Sequence, residues 1–373
     1  MKVAVITWFR DMNYGTILQA FAMQRYLENE LKCSAAIINY IPVRKETISN
    51  ELSIWQRVNR KADYICDNAF RKKYKELFTK KRQRFFSAID DTCCLTSPIK
   101  SDDDFMLLQS EFDAFICGSD QIWNPYWMDP NFYLSFVKSK KKIAYAPSIG
   151  IQTIPDNFFP EIKRLLSGFH AISVREKNGS KQIESIISKK VSNVCDPVFL
   201  LDKSYWMKYI EKYSTDIKQD YVFYYLLSYH SEHWRAIKRF ASERGLKIVG
   251  IPVVGREFYF YRGEKIVDAG PFEFLKLLSS AKYVLTDSFH ATSFSIILEK
   301  QFYVFERFSP KGQYSQNSRV NSLLEEYGLT NRLLKYCCTH ITENKDIDYG
   351  KVKKEHSGFI EHSKIYLKHA LYD

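Results

Sequence analysis

The stretch Thr286-Asp287-Ser288-Phe289-His290 sets a carboxyl group, two hydroxyls and an imidazole directly after the apolar run Tyr283 to Leu285. Such a set can move protons. A histidine with its ordinary pKa near ~6.5 both gives and takes a proton around neutrality, and a neighbouring carboxylate can orient or polarise the ring. Apolar spacing resumes at Phe294, Ile297 and Leu298, so the reading is a strand that ends at Thr286 and a helix that starts just after His290. On that reading Asp287 is either a catalytic partner of His290 or the cap of the helix. The free N–H groups and positive dipole end of such a helix favour an anion beside the histidine.

Other polar groups fall at the ends of strand-like runs in the same manner. Val3 to Thr7 leads to Asn13-Tyr14-Gly15, Ala114 to Cys117 leads to Gly118-Ser119-Asp120 and on to Asn124, and Ile143 to Ala146 leads to Pro147-Ser148. Ala171 to Val174 leads to Arg175-Glu176, and Tyr221 to Leu227 leads to Ser228. In open parallel sheets ligands gather beyond the carboxyl ends of strands, so these loops are the candidate binding groups. Arg175 can hold a carboxylate or phosphate in a two-bond fork, or it can pair with Glu176. Asn13 and Gly15 can equally cap the next helix, and Asp120 and Asn124 can be turn residues. No G-x-G-x-x-G, P-loop, H-E-x-x-H or G-x-S-x-G is present. The eight cysteines include the adjacent pairs Cys93-Cys94 and Cys337-Cys338 but no C-x-x-C, which indicates neither a metal site nor a disulfide framework.

These loops require a scaffold. At 373 residues the chain exceeds one ordinary core, so two domains are expected. Short β-branched runs alternate with helical stretches nearly throughout, which predicts an α/β architecture with mainly parallel sheets. The first domain is expected over residues 1–205, carrying a basic helical insertion near 50–90. A second domain with a smaller sheet follows over 206–345, and 346–373 reads as a closing helix able to pack back on the first domain.

A content of 45% hydrophobic and 16% aromatic residues excludes a disordered chain. No apolar run approaches the ~20 residues of a spanning helix, and MKVAVITWFRDMNYG meets charge too soon for a signal peptide, so a soluble cytoplasmic protein is expected. The formal charge of +12 calls for an anionic partner. Much of it lies between Arg71 and Arg84, where Tyr74, Leu77, Phe78 and Phe85 recur at helical spacing. That pattern fits a solvated helix face or a peripheral contact with an anionic inner membrane leaflet. Nucleic acid is not an expected partner, since no recognisable module accompanies the charge.

With these segments assembled, the chain resembles the polysaccharide pyruvyl transferase family. The matching pieces are Asn13-Tyr14-Gly15 with Leu18-Gln19-Ala20, the run Cys117 to Asn124, Ala146-Pro147-Ser148, Ser173-Val174-Arg175-Glu176, Asp196-Pro197, Thr286 to His290 and Asn317-Ser318-Arg319. The resemblance implies two Rossmann-like domains facing a cleft, as in GT-B glycosyltransferases. It also implies transfer of a pyruvyl unit from phosphoenolpyruvate to a sugar of a cell-surface polysaccharide or its lipid-linked precursor, forming a cyclic ketal without a cofactor. It assigns Arg175 to the donor's anionic groups and His290 to the chemical centre. Where relatives similar to the yeast enzyme have Arg-Leu-His, this chain has Ser288-Phe289-His290, so one donor arginine is absent from its usual place. Arg307, Lys311 and Arg319 are the cations available to replace it. Two alternatives remain open: a GT-B-type glycosyltransferase using a nucleotide sugar, and a non-catalytic subunit of a glycan-assembly complex.

Overall fold

The computed structural model describes residues 1–42, 54–310, 315–342 and 344–373. The chain runs β1 (Lys2–Ile6), α1 (Tyr14–Asn29), β2 (Ser34–Ile37), α2 (Ile54–Lys73), α3 (Lys75–Asp90), α4 (Asp102–Glu111), β3 (Ala114–Cys117), β4 (Lys141–Ala144), α5 (Phe159–Leu166), β5 (Ala171–Val174), α6 (Lys177–Ile187) and β6 (Ser192–Asn193). It continues with α7 (Lys203–Ile210), β7 (Tyr221–Tyr225), α8 (Ser231–Glu243), β8 (Lys247–Gly250), α9 (Gly255–Phe260), β9 (Glu264–Lys265), α10 (Pro271–Ser280), β10 (Tyr283–Thr286), α11 (Phe289–Ile297), β11 (Gln301–Phe305), α12 (Asn317–Glu326), β12 (Leu333–Leu334) and α13 (Tyr349–Tyr372).

These elements form two compact units. The first comprises Met1–Thr47, Ile89–Asp202 and Lys351–Asp373; the second comprises Ile48–Ala88 and Lys203–Gly350. The first carries a parallel sheet in the order β2-β1-β3-β4-β5-β6, and the second one in the order β12-β11-β10-β7-β8-β9. Both have six strands, so the second sheet is not the smaller one expected. Its two-residue edges β9 and β12 are too short to show any hydrophobic period.

The central strands are buried on both faces, which is why they read as apolar runs and not as alternations. Val3, Ala4, Val5 and Ile6 of β1 are fully buried, as are Val222, Phe223 and Tyr224 of β7. Each sheet reverses its strand order beside its first strand, β1 or β7, and the crevice at that reversal is where ligands of such sheets bind.

The basic segment was expected as an insertion of the first domain, but its described helices α2 and α3 cluster with the second unit. Its anchors are specific. Phe258 of α9 stacks on Phe70 with ring centroids 4.4 Å apart, Arg84 pairs with Asp268 and Glu273 at 3.2 Å each, and a Cβ on Gly255 would lie 2.4 Å from the Cys66 backbone. Sequence proximity does not predict this, because long excursions close on distant partners at little extra entropic cost. The closing helix α13 contributes Lys351–Asp373 to the first unit, where Ser363 Oγ accepts from Cys195 N at 2.9 Å and Tyr366 OH donates to Ala144 O at 3.0 Å. Among the described residues no helix is long and apolar enough to cross a membrane.

Candidate functional site

In the first unit, the loops after β1, β3, β4, β5 and β6 are joined in one buried polar network. Gln19 of α1 is its hub: Nε2 donates to Thr7 Oγ1 and Trp8 O at 3.0 Å, and Oε1 accepts from Ser119 N at 3.1 Å. Ser119 Oγ, fully buried, lies 2.8 Å from Ala146 O and 3.1 Å from Asp196 Oδ2. Asp120 has a left-handed φ of 64°, and its Oδ2 accepts from Thr16 Oγ1 at 2.7 Å. Gly118 is a position only glycine fits, with φ 121° and Tyr145 O only 2.0 Å from where a Cβ would stand.

Arg175 sits inside this network, its side chain 3% exposed. Nη1 is 2.6 Å from Asp196 Oδ2 and Nε is 3.5 Å from Glu176 Oε1. Burial opposes the guanidinium's charge, but Asp196, Glu176 and Asp120 outweigh it and raise its pKa. Glu176 is itself held by Ser148 Oγ and by Ile149 N. An arginine so enclosed by carboxylates has its charge neutralised locally, and freeing it for a ligand would leave buried acids unpaired. The ion pairs give Arg175 a bracing contact across the β5 and β6 loops, beside the donor-anchoring role that the resemblance implies.

The other predicted groups of this edge divide by task. Asn13 caps α1 by accepting from Gly15 N at 3.0 Å, and Asn124 caps the short turn at Pro125 by accepting from Tyr126 N at 3.0 Å. Tyr14 is 1% exposed and belongs to the core. Ile122 and Trp123 of the same motif are core as well, Trp123 stacking on Tyr133 at 5.1 Å. Ser119, Asp120, Ser148 and Arg175 are brought together; Asn124 and Tyr14 serve the local fold.

In the second unit the stretch from Thr286 to His290 differs in detail from the expectation. The helix α11 begins at Phe289, which puts His290 in its first turn, and the cap is Ser288, whose Oγ accepts from Ala291 N at 3.4 Å. Asp287 is thus not the helix cap. Its Oδ1 accepts from Leu227 N at 2.7 Å and its Oδ2 from Ser228 Oγ at 3.2 Å, which ties the end of β10 to the loop after β7 at the sheet's point of reversal. Burial pushes its pKa up to about 6, against the lowering by Arg307 and by these hydrogen bonds. His290 is 8% exposed and meets the Phe289 ring edge-on at 5.2 Å.

A cavity of about 10 Å³, room for one water, lies beside Asp287 and is lined also by Arg307, Asn317 and Arg319. Asn317 is tied to Phe308, accepting from its N at 3.1 Å and donating to its O at 2.7 Å. Arg319 Nη2 donates to Gln316 Oε1 at 2.7 Å. Lys311, the third cation considered for this edge, lies outside the described residues. Glu257 of α9 was missed by sequence reading: it is fully buried, accepts from Val253 N at 2.9 Å, and burial holds its carboxyl well above the usual range, with the nearby Asp287 pushing it the same way. Nothing in Gly255-Arg256-Glu257-Phe258 marks it as buried, since its burial depends on tertiary packing around α9, against which α2 lies. Among the described residues no group of three or more His, Cys, Asp or Glu could hold a metal.

Comparison with family models finds a match to polysaccharide pyruvyl transferase over residues 13–309, a span that contains Asn13, Ser119, Arg175, Asp196, Asp287 and His290. The chain belongs to the polysaccharide pyruvyl transferase family. That is a family of transferases, and this member is accordingly an enzyme of that class. No curated protein matches the chain. Among solved structures it is similar to a Listeria monocytogenes protein named for UDP-N-acetylglucosamine 2-epimerase, at 10% identity and TM-score 0.52 over 100% of this chain and 90% of that one. It is also similar to the S. aureus MnaA–UDP complex, at 12% identity and TM-score 0.50 over 98% and 90%. These likenesses show the fold alone, two parallel-sheet α/β units as in those solved structures.

Proposed function

We propose that this pyruvyl transferase family member moves the pyruvyl unit of phosphoenolpyruvate onto two hydroxyls of a sugar in a cell-surface polysaccharide or its precursor. The observation that carries this reading is the family match over residues 13–309, together with a histidine in the first turn of a helix that follows a strand at the sheet's reversal. In the proposed reaction His290 delivers a proton to the donor's methylene carbon, leaving C2 electron-poor. One sugar hydroxyl adds to C2 and returns its proton to the imidazole; the phosphate departs, and the second hydroxyl closes the cyclic ketal as its proton passes to phosphate. Arg307 and Arg319 are the cations proposed to hold the donor's carboxylate and phosphate, in place of the arginine that relatives carry where this chain has Ser288. Asp287 positions the β10 end against the β7 loop.

The test is phosphate release from phosphoenolpyruvate in the presence of sugar acceptors, with mass spectrometry of the product for the pyruvyl increment. Thermal stabilisation by phosphoenolpyruvate, lost in Arg307→Gln, is the expected companion result. A second reading, a nucleotide-sugar transferase, draws on the UDP held by the structural neighbour. Stabilisation by UDP-sugars alone, with no phosphate released from phosphoenolpyruvate, overturns the first reading in favour of the second.

A further inference from the structure

We propose that the helical pair α2–α3 is a docking surface for anionic lipid headgroups, independent of the transfer chemistry. One side of α2 faces its own unit: Asp63 pairs with Arg256 at 3.3 Å, Asp67 accepts from Gly255 N, and Phe70 stacks on Phe258. The opposite side is a continuous stripe at helical spacing, Lys61, Tyr64, Ile65, Asn68, Ala69 and Lys72, and every one of these is exposed. Tyr64 and Ile65 are large apolar side chains left 67% and 57% accessible. Scattered exposed apolar residues need no explanation, but this pair adjoins a cluster of charge.

The cluster lies where α2 gives way to α3. Arg71, Lys72, Lys73 and Lys75 are exposed, whereas among the described residues from 61 to 90 the exposed acids are Glu76 and Asp90. Arg71 Cζ lies 5.4 Å from the Phe78 ring and Lys73 Nζ 5.4 Å from the Tyr74 ring, so aromatic faces hold both stems at the turn. Not every cation of the pair is offered outward. Arg84 is committed to Asp268 and Glu273, Lys80 pairs with Asp268 at 3.0 Å, and Lys81 is buried. Among the described residues the outward charge is densest where α2 gives way to α3, with Lys61 and Arg82 exposed to either side of it.

A cationic cluster at the junction with exposed Tyr and Ile on α2 is what an in-plane contact with an anionic bilayer requires: headgroups meet the ammonium and guanidinium groups while the apolar side chains enter the acyl boundary. A soluble polyanion would use the charge and leave Tyr64 and Ile65 idle. Since no described helix can cross a membrane, the contact is peripheral.

The experiment sediments the full chain with phosphatidylcholine vesicles, and with vesicles in which part of that lipid is replaced by phosphatidylglycerol. Binding to the second kind only, weakening as salt rises, is expected. The variant Arg71→Gln/Lys72→Gln/Lys73→Gln/Lys75→Gln should lose roughly 10²–10³ in partition at about fivefold per cation, with unchanged circular dichroism. The four single Gln variants, each well tolerated at an exposed site, should show the same loss in steps. Tyr64→Ser/Ile65→Ser should keep low-salt binding and lose the part that survives high salt. Equal binding to both kinds of vesicle, unchanged binding by the fourfold variant, or retention on heparin with no vesicle binding overturns the proposal. None of these results bears on phosphate release from phosphoenolpyruvate, so the two proposals fail separately.

Discussion

The carboxyl edges of the two sheets hold similar inventories of polar residues and use them in opposite ways. At the first, Arg175 is matched by Asp196 and Glu176, Ser119 and Ser148 have hydrogen-bond partners, and Gln19 draws the loops into one piece. At the second, Asp287 is buried with its carboxyl pushed up to about 6, Glu257 is held well above its usual range, and Arg307 and Arg319 border a small cavity beside Asp287. The first edge pairs its buried arginine with two acids. The second retains groups out of electrostatic balance, which is the condition expected where chemistry occurs. An arginine in a family motif is thus no guide to its task until its counter-ions are known.

Four substitutions break or sharpen this contrast, in descending order of effect. His290→Asn keeps a polar side chain in the first turn of α11, so the fold should persist while phosphate release from phosphoenolpyruvate falls by roughly 10²–10⁴-fold. A drop in melting temperature with an unchanged rate per folded molecule would move the chemistry away from the second edge.

Arg175→Leu leaves Asp196 and Glu176 without their cation, and removing one partner of a buried pair costs about 3–5 kcal/mol. Urea unfolding should report that loss, and hydrogen exchange should localise it to the first unit. If donor affinity falls instead while stability holds, Arg175 is a ligand and the contrast fails.

Asp287→Asn tests the second edge through pH. Burial raises the carboxyl from its usual 3.8 to about 6 in the fold, so its contribution to stability is complete below about pH 4 and is lost as pH rises through 6. A tenfold change in proton affinity is worth ~1.4 kcal/mol, which makes the whole change about 3 kcal/mol. The asparagine can still accept from Leu227 N through Oδ1 and donate from Nδ2 to Ser228 Oγ, so the variant should show a flatter stability profile between pH 4 and 7 than the wild type. A parallel profile would mean that Asp287 is not the titrating group. Ser288→Ala removes the cap of α11 and should cost about 1 kcal/mol in thermal or urea unfolding. No change would show that the helix start does not depend on the residue standing in the arginine's usual place.

Several expectations survive at the level of elements. The strand Ala114–Cys117 and the strand Ala171–Val174 stand where their apolar runs put them, and Asn13 caps α1 as its position suggests. The helix α11 starts earlier than its apolar spacing implies, because Phe289 and His290 lack the period that marks the later turns while Ser288 carries the cap signal. The site was legible as a list of polar loop residues and not as an arrangement. Ser119, Ser148, Arg175 and Asp196 are far apart in the chain, and their meeting depends on strand order in the sheet.

By itself the sequence determined the parts whose causes lie within a turn or a strand: apolar runs for strands buried on both faces, helical spacing for α1 and α8, the cap at Asn13, and the motif order that marks the family. These rest on contacts between residues a few positions apart, so local residue types suffice. Tertiary structure decided which partners close over distance: the Arg175 counter-ions, the reach of Asp287 to Leu227 and Ser228, the burial of Glu257, and the packing of α2 and α3 with the second unit. Loop closure adds little entropic cost with length, so the chain admits many such pairings, and only the whole set of buried charges and packed faces selects among them.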